Sequence, residues 1–143
     1  MNDQKIVIDT DVLLDHLVHR DGPSFLRRAM NVFFCYTTAF NAIEAFSFAR
    51  SDEEIQAVDD AMSAMKVLGL NAKSAKVVGS IFSKIDSTKK RDLAVLIAGV
   101  CRESKLPIVT MNPQRFSGIK QLRVITAVKL ARYLSPTEII AIK

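Results

Sequence analysis

The stretch KIVIDTDVLLDHL, residues 5–17, joins a short apolar run to a cluster of acidic residues. Residues 6–8 are β-branched and favour a buried strand. Asp9, Thr10 and Asp11 follow directly, and a charge at the end of a buried strand is costly unless it is paired. The pattern therefore predicts that these acids cap a helix, meet a cation or take part in catalysis.

Length and composition indicate one globular domain over residues 1–143. Apolar residues make up 49% of the chain and charged residues 24%, which is ordinary for a folded protein. A chain of this size buries roughly two thirds of its unfolded surface in a single core. The net charge of +5 favours encounters with polyanions such as nucleic acid.

The cysteines and the apolar runs predict a cytoplasmic protein. Cys35 and Cys101 form no CxxC pair, so neither a disulfide framework nor a zinc site is expected. The first strand starts close to Met1, which leaves no room for a secretion signal. The longest apolar run, residues 93–100, is far shorter than the roughly 20 residues that span a bilayer.

Apolar runs separated by helical patterns predict a three-layer α/β/α sandwich with a central, mainly parallel sheet of four to five strands. Further strands are expected at residues 32–38, 107–110 and 122–126. The helices between them are predicted from the following signals: Asp11 as a cap, a capping box of Ser51 and Glu54, a helix with Ala75, Val78, Phe82 and Ile85 facing inward, and a helix over residues 90–104 capped by Ser87 or Thr88.

Acidic residues are placed where strands of this sheet would end. Asp9 follows the first strand, Glu44 lies in the helix after the second, and Asp92 lies in the first turn of the helix that begins near residue 90. If these strands are neighbours, three carboxylates converge and repel one another at low dielectric. Mg²⁺ or Mn²⁺ relieves that repulsion, since both prefer hard oxygen ligands. A bound metal can also activate water for attack at phosphorus.

The chain resembles the PIN domains, and among them the small single-domain VapC-like toxins, over nearly its whole length. The matching pieces are IVIDTDVLLDHL at the start, TTAFNAIEAFSFA around Glu44, RDLAVLIAGVCRESKLPIVTMNPQRF from Arg91, and the closing LRVITA. The ordered set is fairly specific, whereas any one piece is weak.

The resemblance implies a metal-dependent endoribonuclease that hydrolyses RNA phosphodiester bonds and leaves a 5′-phosphate. Its metal ligands for Mg²⁺ or Mn²⁺ would be Asp9, Glu44 and Asp92, with Thr110 and Asn112 completing the catalytic set. Relatives with Asp at the Asn112 position have a fourth carboxylate there, so the number of metals stays open. The resemblance also implies a cognate antitoxin protein and a homodimer.

Each candidate residue also has an ordinary structural interpretation. Asp9 or Asp11 can simply cap a helix. Glu44 can be an exposed helix position, Asp92 can complement a helix dipole, and Asn112 can belong to a turn. A further pair, His16 and His19, has i, i+3 spacing but no Cys or Glu partner within sequence reach, so a metal site there is not expected.

Three other functions compete with the ribonuclease. In a haloacid-dehalogenase-like phosphatase, Asp9 would be the nucleophile and Asp11 a general acid or base, but the acidic pair at residues 59–60 falls in an amphipathic helix. A receiver domain needs an Asp after a middle strand, which is lacking. A PIN-like module that binds RNA or protein without cutting remains open, because Asn112 is neutral.

Overall fold

A five-stranded parallel sheet forms the centre of the protein. The structure, a computed structural model, describes residues 4–19, 21–84 and 92–134. The sheet order is β3-β2-β1-β4-β5, and each neighbouring pair is parallel. The first strand of the chain therefore lies in the middle. The strands are β1 (Lys5–Ile8), β2 (Phe34–Thr38), β3 (Lys66–Leu68), β4 (Ile108–Thr110) and β5 (Val124–Thr126).

Helices cover both faces of the sheet, which confirms the predicted three-layer α/β/α class. Ile6 and Ile8 point into a core with α1, α2 and α7, while Val7, between them, points into a second core with α5 and α6. This alternation follows from the two-residue period of a strand. The helices are α1 (Thr10–Val18), α2 (Phe25–Met30), α3 (Ala39–Phe48), α4 (Asp52–Ser63), α5 (Ala72–Lys84), α6 (Leu93–Ser104) and α7 (Ala127–Ala131).

The α5–α6 pair packs closely because residue 99 is glycine. A Cβ placed on Gly99 would meet Cγ2 of Val78 at 2.1 Å, a distance that real Cβ atoms do not tolerate. The close approach packs α6 against the second core, and Asp92 caps the N-terminus of this helix.

Several local predictions were wrong. Strand β3 was missed, because its three residues are mostly exposed at the sheet edge and follow α4 without a turn signal. Ser74, rather than Ala75, is the buried residue in the first turn of α5. Glu54 reaches the backbone N–H of Arg50 and does not close the capping box, although Ser51 does cap α4.

The two cysteines lie apart, in the interior of the protein. Cys35 and Cys101 are free thiols, buried in the two different cores. Burial raises the pKa of the Cys35 thiol to about 12, which suits a structural thiol. Within the described ranges no helix is both long and apolar enough to cross a bilayer.

Candidate active site at the carboxyl edge of the sheet

The candidate site lies where β1, β2 and β4 end. Strand β2 pairs with one side of β1, and β4, which comes later in the chain, pairs with its other side. The order of the strands therefore reverses at β1. In open parallel sheets, ligands bind beyond the strand ends at such a switch point. A 3₁₀ helix, Pro113–Phe116, follows β4 and contributes the basic residue of the site.

Asp9 is the buried centre of this site. It is fully buried and ends β1, so its position is fixed by the two strands that flank β1. Its Oδ1 accepts hydrogen bonds from the Thr10 backbone N–H (2.8 Å), Asn41 Nδ2 (3.0 Å) and Arg115 Nη1 (3.0 Å), and its Oδ2 accepts from Thr110 Oγ1 (2.8 Å). Four donors from four parts of the chain therefore hold one carboxylate.

Burial and hydrogen bonding act on Asp9 in opposite directions. Burial raises the pKa of the Asp9 carboxyl above its usual value, and the nearby charge of Asp11 adds to this. The Arg115 guanidinium, the Thr10 backbone N–H and the Thr110 hydroxyl partly offset burial by stabilising the carboxylate. A carboxylate kept in such a position is typical of functional sites.

Arg115 joins Asp9 to Glu44. Its Nη2 donates to Oε1 (2.7 Å) and Oε2 (2.6 Å) of Glu44, while its Nη1 donates to Asp9. The side chains of Arg115 and Glu44 are each 22% exposed, so the ion pair lies at the mouth of the site. Burial alone would lower the pKa of Arg115, but hydrogen bonding to Glu44 and the charges of Asp9, Glu44 and Asp92 outweigh it and raise that pKa.

The first turns of α1 and α3 orient the two acids. Thr10 Oγ1 donates to Glu44 Oε1 (2.5 Å) and accepts from Asn41 Nδ2 (2.9 Å). Asn41 is fixed in turn because its Oδ1 accepts from the backbone N–H and the hydroxyl of Thr38, in a capping box that starts α3. Asp9 and Glu44, 35 residues apart in sequence, thus share one buried polar network.

Thr110 and Asp11 close the other side of the site. The Thr110 hydroxyl lies between the carboxylates of Asp9 and Asp11, with Asp11 Oδ2 at 3.1 Å, and Asp11 Oδ2 also accepts from the Met111 backbone N–H (3.0 Å). The prediction that Asp11 caps α1 was wrong, since Asp9 is the cap. Asp11 Oδ1 is buried and has no hydrogen-bond partner among the described residues.

Asn112 and Asp92 are less closely bound to the centre. The Asn112 side chain is exposed and makes no capping hydrogen bond, although its backbone N–H donates to Thr110 Oγ1 (3.1 Å). Asp92 is exposed and caps α6 by accepting from the Ala94 backbone N–H (3.0 Å). It stands one residue before the helix, not in its first turn, and the alternative caps Ser87 and Thr88 lie outside the described residues. Its charge nevertheless acts on Arg115.

The donor chemistry fits a hard divalent cation, but Arg115 stands between the donors. Among the described residues no three Asp, Glu, His or Cys side chains are grouped closely enough to hold a metal ion. The carboxylates of Asp9 and Glu44 nevertheless converge on one cationic group, and the unpartnered Asp11 Oδ1 is a further oxygen beside Asp9. Oxygen ligands of this type suit Mg²⁺ or Mn²⁺.

The histidine pair has ordinary local roles. His16 Nδ1 shares a hydrogen bond with Ser24 Oγ (2.6 Å), and His19 Nε2 bonds to the Asp21 carbonyl oxygen (2.9 Å). Both histidines therefore have a structural partner close to them in sequence.

Sequence reasoning missed Arg115 and Asn41. A signal for Asn41 was available, because Thr38 and Asn41 have the spacing of a capping box directly after a strand. Arg115 had a weaker signal. It is a basic residue in the loop after β4, close in sequence to Thr110, but nothing in the spacing shows that its side chain turns back toward Asp9.

The chain belongs to the PIN domain family, whose model matches residues 6–121. Members of this family are typically nucleases and generally use divalent metal ions, which supports a hydrolase acting on nucleic acid. No curated protein sequence is detectably similar to this chain.

Solved structures that are similar to this chain include VapBC toxin–antitoxin complexes. The chain superposes on VapBC of Salmonella typhimurium bound to DNA with a TM-score of 0.76 at 20% identity, covering 86% of this chain and 98% of that one. It superposes on VapBC-1 of nontypeable Haemophilus influenzae with a TM-score of 0.72 at 16% identity, covering 87% and 99%. It superposes on VapBC2 of Rickettsia felis, bound to a promoter DNA fragment, with a TM-score of 0.71 at 16% identity, covering 85% of this chain and 98% of that one. Likeness at such identities shows the fold alone.

Proposed function

We propose that this protein is a metal-dependent endoribonuclease and the toxin of a toxin–antitoxin pair. The observation that carries the proposal is the convergence of Asp9 and Glu44 at the carboxyl edge of the sheet, with Asp9 fully buried and held by four donors. Burying a carboxylate is unfavourable, and binding of a divalent cation by both carboxylates would explain why this arrangement is present. PIN domain membership favours a nuclease among the chemistries that such a site supports.

In the proposed mechanism each residue has a distinct task. Asp9 and Glu44 would hold Mg²⁺ or Mn²⁺, and Asp92, whose charge acts on Arg115, would add negative charge. When bound, the cation would activate water and stabilise the charge that develops at phosphorus. Thr110 and Asn41 keep Asp9 oriented by donating to its two oxygens. We propose that Asn112, whose side chain is exposed beside Thr110, contacts the substrate.

RNA is the substrate that we propose, and specificity would reside in the surface around this edge. Single-stranded or looped RNA presents its backbone without a duplex partner, so a phosphodiester can reach a site recessed at the end of a sheet. The net charge of +5 assists the encounter with such a polyanion.

The proposed partner is an antitoxin that covers an apolar groove near the site. The groove has a volume of about 320 Å³, and its lining includes Leu14, Leu17, Val18, Ala45, Phe48 and Val58. Val18 and Phe48 are 68% and 59% exposed, and both lie in the same apolar groove, where grouped exposed apolar side chains favour a protein partner. An amphipathic segment of an antitoxin would fit here, because similar solved structures include VapBC complexes.

Co-expression tests the antitoxin assignment. The first step is to look for a short reading frame just upstream of the gene. Its product is expected to co-purify with the wild-type chain and not with the Phe48→Asp variant, whereas Val128→Asp, an exposed change elsewhere, is expected to retain it. Failure of the neighbouring product to bind would contradict the assignment. We further propose a cytoplasmic homodimer, and a monomer mass in light scattering would contradict the dimer.

RNA cleavage tests the enzymatic proposal. Purified protein is incubated with a mixed structured RNA in Mg²⁺ or Mn²⁺, with and without chelator, beside the double variant Asp9→Asn, Glu44→Gln. Cleavage is expected to require metal and to disappear in that variant, while Glu53→Gln, an exposed change on α4, is expected to cleave normally. RNA retention without cleavage would indicate the non-cutting module, and turnover of p-nitrophenyl phosphate would indicate the phosphatase.

A further inference from the structure

We propose that Arg115 is the built-in competitor of the divalent cation: its guanidinium occupies the place between Asp9 and Glu44, and metal can enter only when Arg115 leaves. This inference rests on the proposed function, since it concerns the regulation of the same site. It makes the metal-free protein self-neutralised and couples metal binding to the movement of one side chain.

The contacts of Arg115 are those of a substitute cation. One planar group donates to Asp9 Oδ1 at 3.0 Å and to both oxygens of Glu44 at 2.7 and 2.6 Å. A guanidinium matches two carboxylates well because its donors form a rigid fork. Every Glu44 oxygen, and the Asp9 oxygen nearest to it, is thereby engaged by the arginine.

The charges of the site explain why a cation must be present at all times. Asp9, Asp11, Glu44 and Asp92 are all acidic, and of these Asp9 is fully buried. Within the described residues, Arg115 is the basic side chain that forms ion pairs with these acids. Without it, Asp9 would stand as a buried charge with no counter-charge, which is strongly unfavourable.

Arg115 has the freedom to leave. Its side chain is 22% exposed, and it extends from a short 3₁₀ helix at the surface rather than from the sheet. Asp9 has no such freedom, because its backbone ends β1 in the middle of the sheet. Exchange of cations would therefore move Arg115 and leave the acids in place.

Competition makes a quantitative prediction for metal affinity. When only a fraction of the protein is in the state that can bind a ligand, the apparent affinity is reduced by that fraction. Removal of the guanidinium in Arg115→Gln is thus expected to tighten Mn²⁺ binding by roughly tenfold or more. Arg115→Lys keeps one positive charge but loses the fork, so we expect an intermediate affinity.

Calorimetry and thermal unfolding provide readouts that do not depend on catalysis. In metal-free buffer Arg115→Gln is expected to unfold at a lower temperature than wild type, and Mn²⁺ is expected to raise its midpoint more than that of wild type. Arg102→Gln is the matched control. Arg102 lies in the last turn of α6, at the opposite end from Asp92, and its Nη2 donates to Oε1 of Gln121 (2.7 Å). Its Mn²⁺ affinity should equal that of wild type.

Equal or weaker Mn²⁺ affinity in Arg115→Gln would overturn the inference, and Arg115→Lys decides the matter if the Gln variant does not fold. Persistence of the tight binding in the double variant Asp9→Asn, Arg115→Gln would overturn it as well, because the metal would then bind elsewhere. RNA cleavage measured in parallel separates the two proposals. If wild type cleaves RNA but wild type and Arg115→Gln bind Mn²⁺ equally well, only the inference about Arg115 fails. If Arg115→Gln binds Mn²⁺ more tightly but neither wild type nor any variant cleaves RNA, only the ribonuclease proposal fails.

Discussion

Asp9 and Asp92 are both predicted ligands of one cation, yet the protein holds them in different ways. Asp9 is fully buried and bound by donors from α1, α3, β4 and the 3₁₀ helix. Asp92 is exposed, and the donor that its side chain meets belongs to its own helix. The Asp9 carboxylate is fixed by the tertiary fold, and the Asp92 carboxylate by a hydrogen bond from Ala94, two residues further along the chain.

The difference indicates that stability and function are coupled at Asp9 and separable at Asp92. Four donors would lose their acceptor if Asp9 were removed, and buried polar groups without partners are costly. At Asp92, water can replace what a substitution removes. Variants at the two positions should therefore differ in stability even where both lose activity.

The largest effect is expected for Asp9→Ala. This variant removes one acceptor from each of four donors and leaves Arg115 with Glu44 as its remaining ion-pair partner, and we expect the free energy of unfolding to fall by about 3 kcal/mol or more. RNA cleavage should fall by more than roughly a hundredfold. Mutation of a residue that only supports a metal ligand already lowers metal affinity or activity by about 10- to 100-fold, and Asp9 is proposed to be a ligand itself. Urea denaturation and a cleavage assay on the same preparation measure both.

The Asp9→Asn variant is the matched control for this prediction. Its amide oxygen can accept from Arg115, and its amide nitrogen can donate to Thr110, so most of the stability should remain while cleavage is lost. Equal stability of the Ala variant and wild type would contradict the tertiary role of Asp9.

A smaller change in stability is expected at Asp92. Asp92→Ala removes a helix cap and should cost about 1 kcal/mol, whereas Asp92→Ser retains a capping oxygen and should cost almost nothing. Both variants remove the charge and should reduce cleavage by about 10- to 100-fold. If Asp92→Ser cleaved RNA as fast as wild type, Asp92 would be a cap and nothing more.

The smallest effect is expected at His16, which extends the comparison to a half-buried and an exposed histidine, His16 and His19. Burial lowers the pKa of His16, the charges of Arg27 and His19 lower it further, and Asp15 partly offsets this. Below the ordinary imidazole pKa of about 6.5, the unfolded chain takes up a proton that folded His16 resists, so acidification favours unfolding.

Thermal midpoints at pH 7.5 and pH 5.5 test this. His16→Gln should lose part of the acid sensitivity of wild type, whereas His19→Gln, which removes only the smallest of the influences on His16, should retain most of it. An unchanged pH dependence in His16→Gln would contradict the assignment.

The elements that could be predicted are those with strong local patterns. Residues 6–8 are β-branched and buried, and α6 carries a long apolar run, so strand and helix followed from composition and period. Strand β3 could not be found in this way. Its residues 66–68 gain their strand conformation from pairing with β2, a contact that the local sequence does not encode.

The site was predictable as a set of positions but not as a set of contacts. Asp9, Glu44 and Thr110 were identified because acids and hydroxyls follow strands or lie in the next helix, and the structure joins them through one polar network. The pairing of Arg115 with Asp9 depends on how the loop after β4 folds back, which only the assembled sheet determines. The cap of α1 was misassigned to Asp11 because either acid fits the pattern.

The position of β1 in the middle of the sheet also has a consequence in time. Asp9 meets Thr110 and Arg115 across 101 and 106 residues of chain, so the site has very high contact order. During synthesis at about 5 to 20 residues per second, Asp9 leaves the ribosome about 5 to 20 seconds before Arg115 does. Throughout that interval the nascent chain carries Asp9 without its threonine or its arginine, and the site comes into existence only after Arg115 has been synthesised.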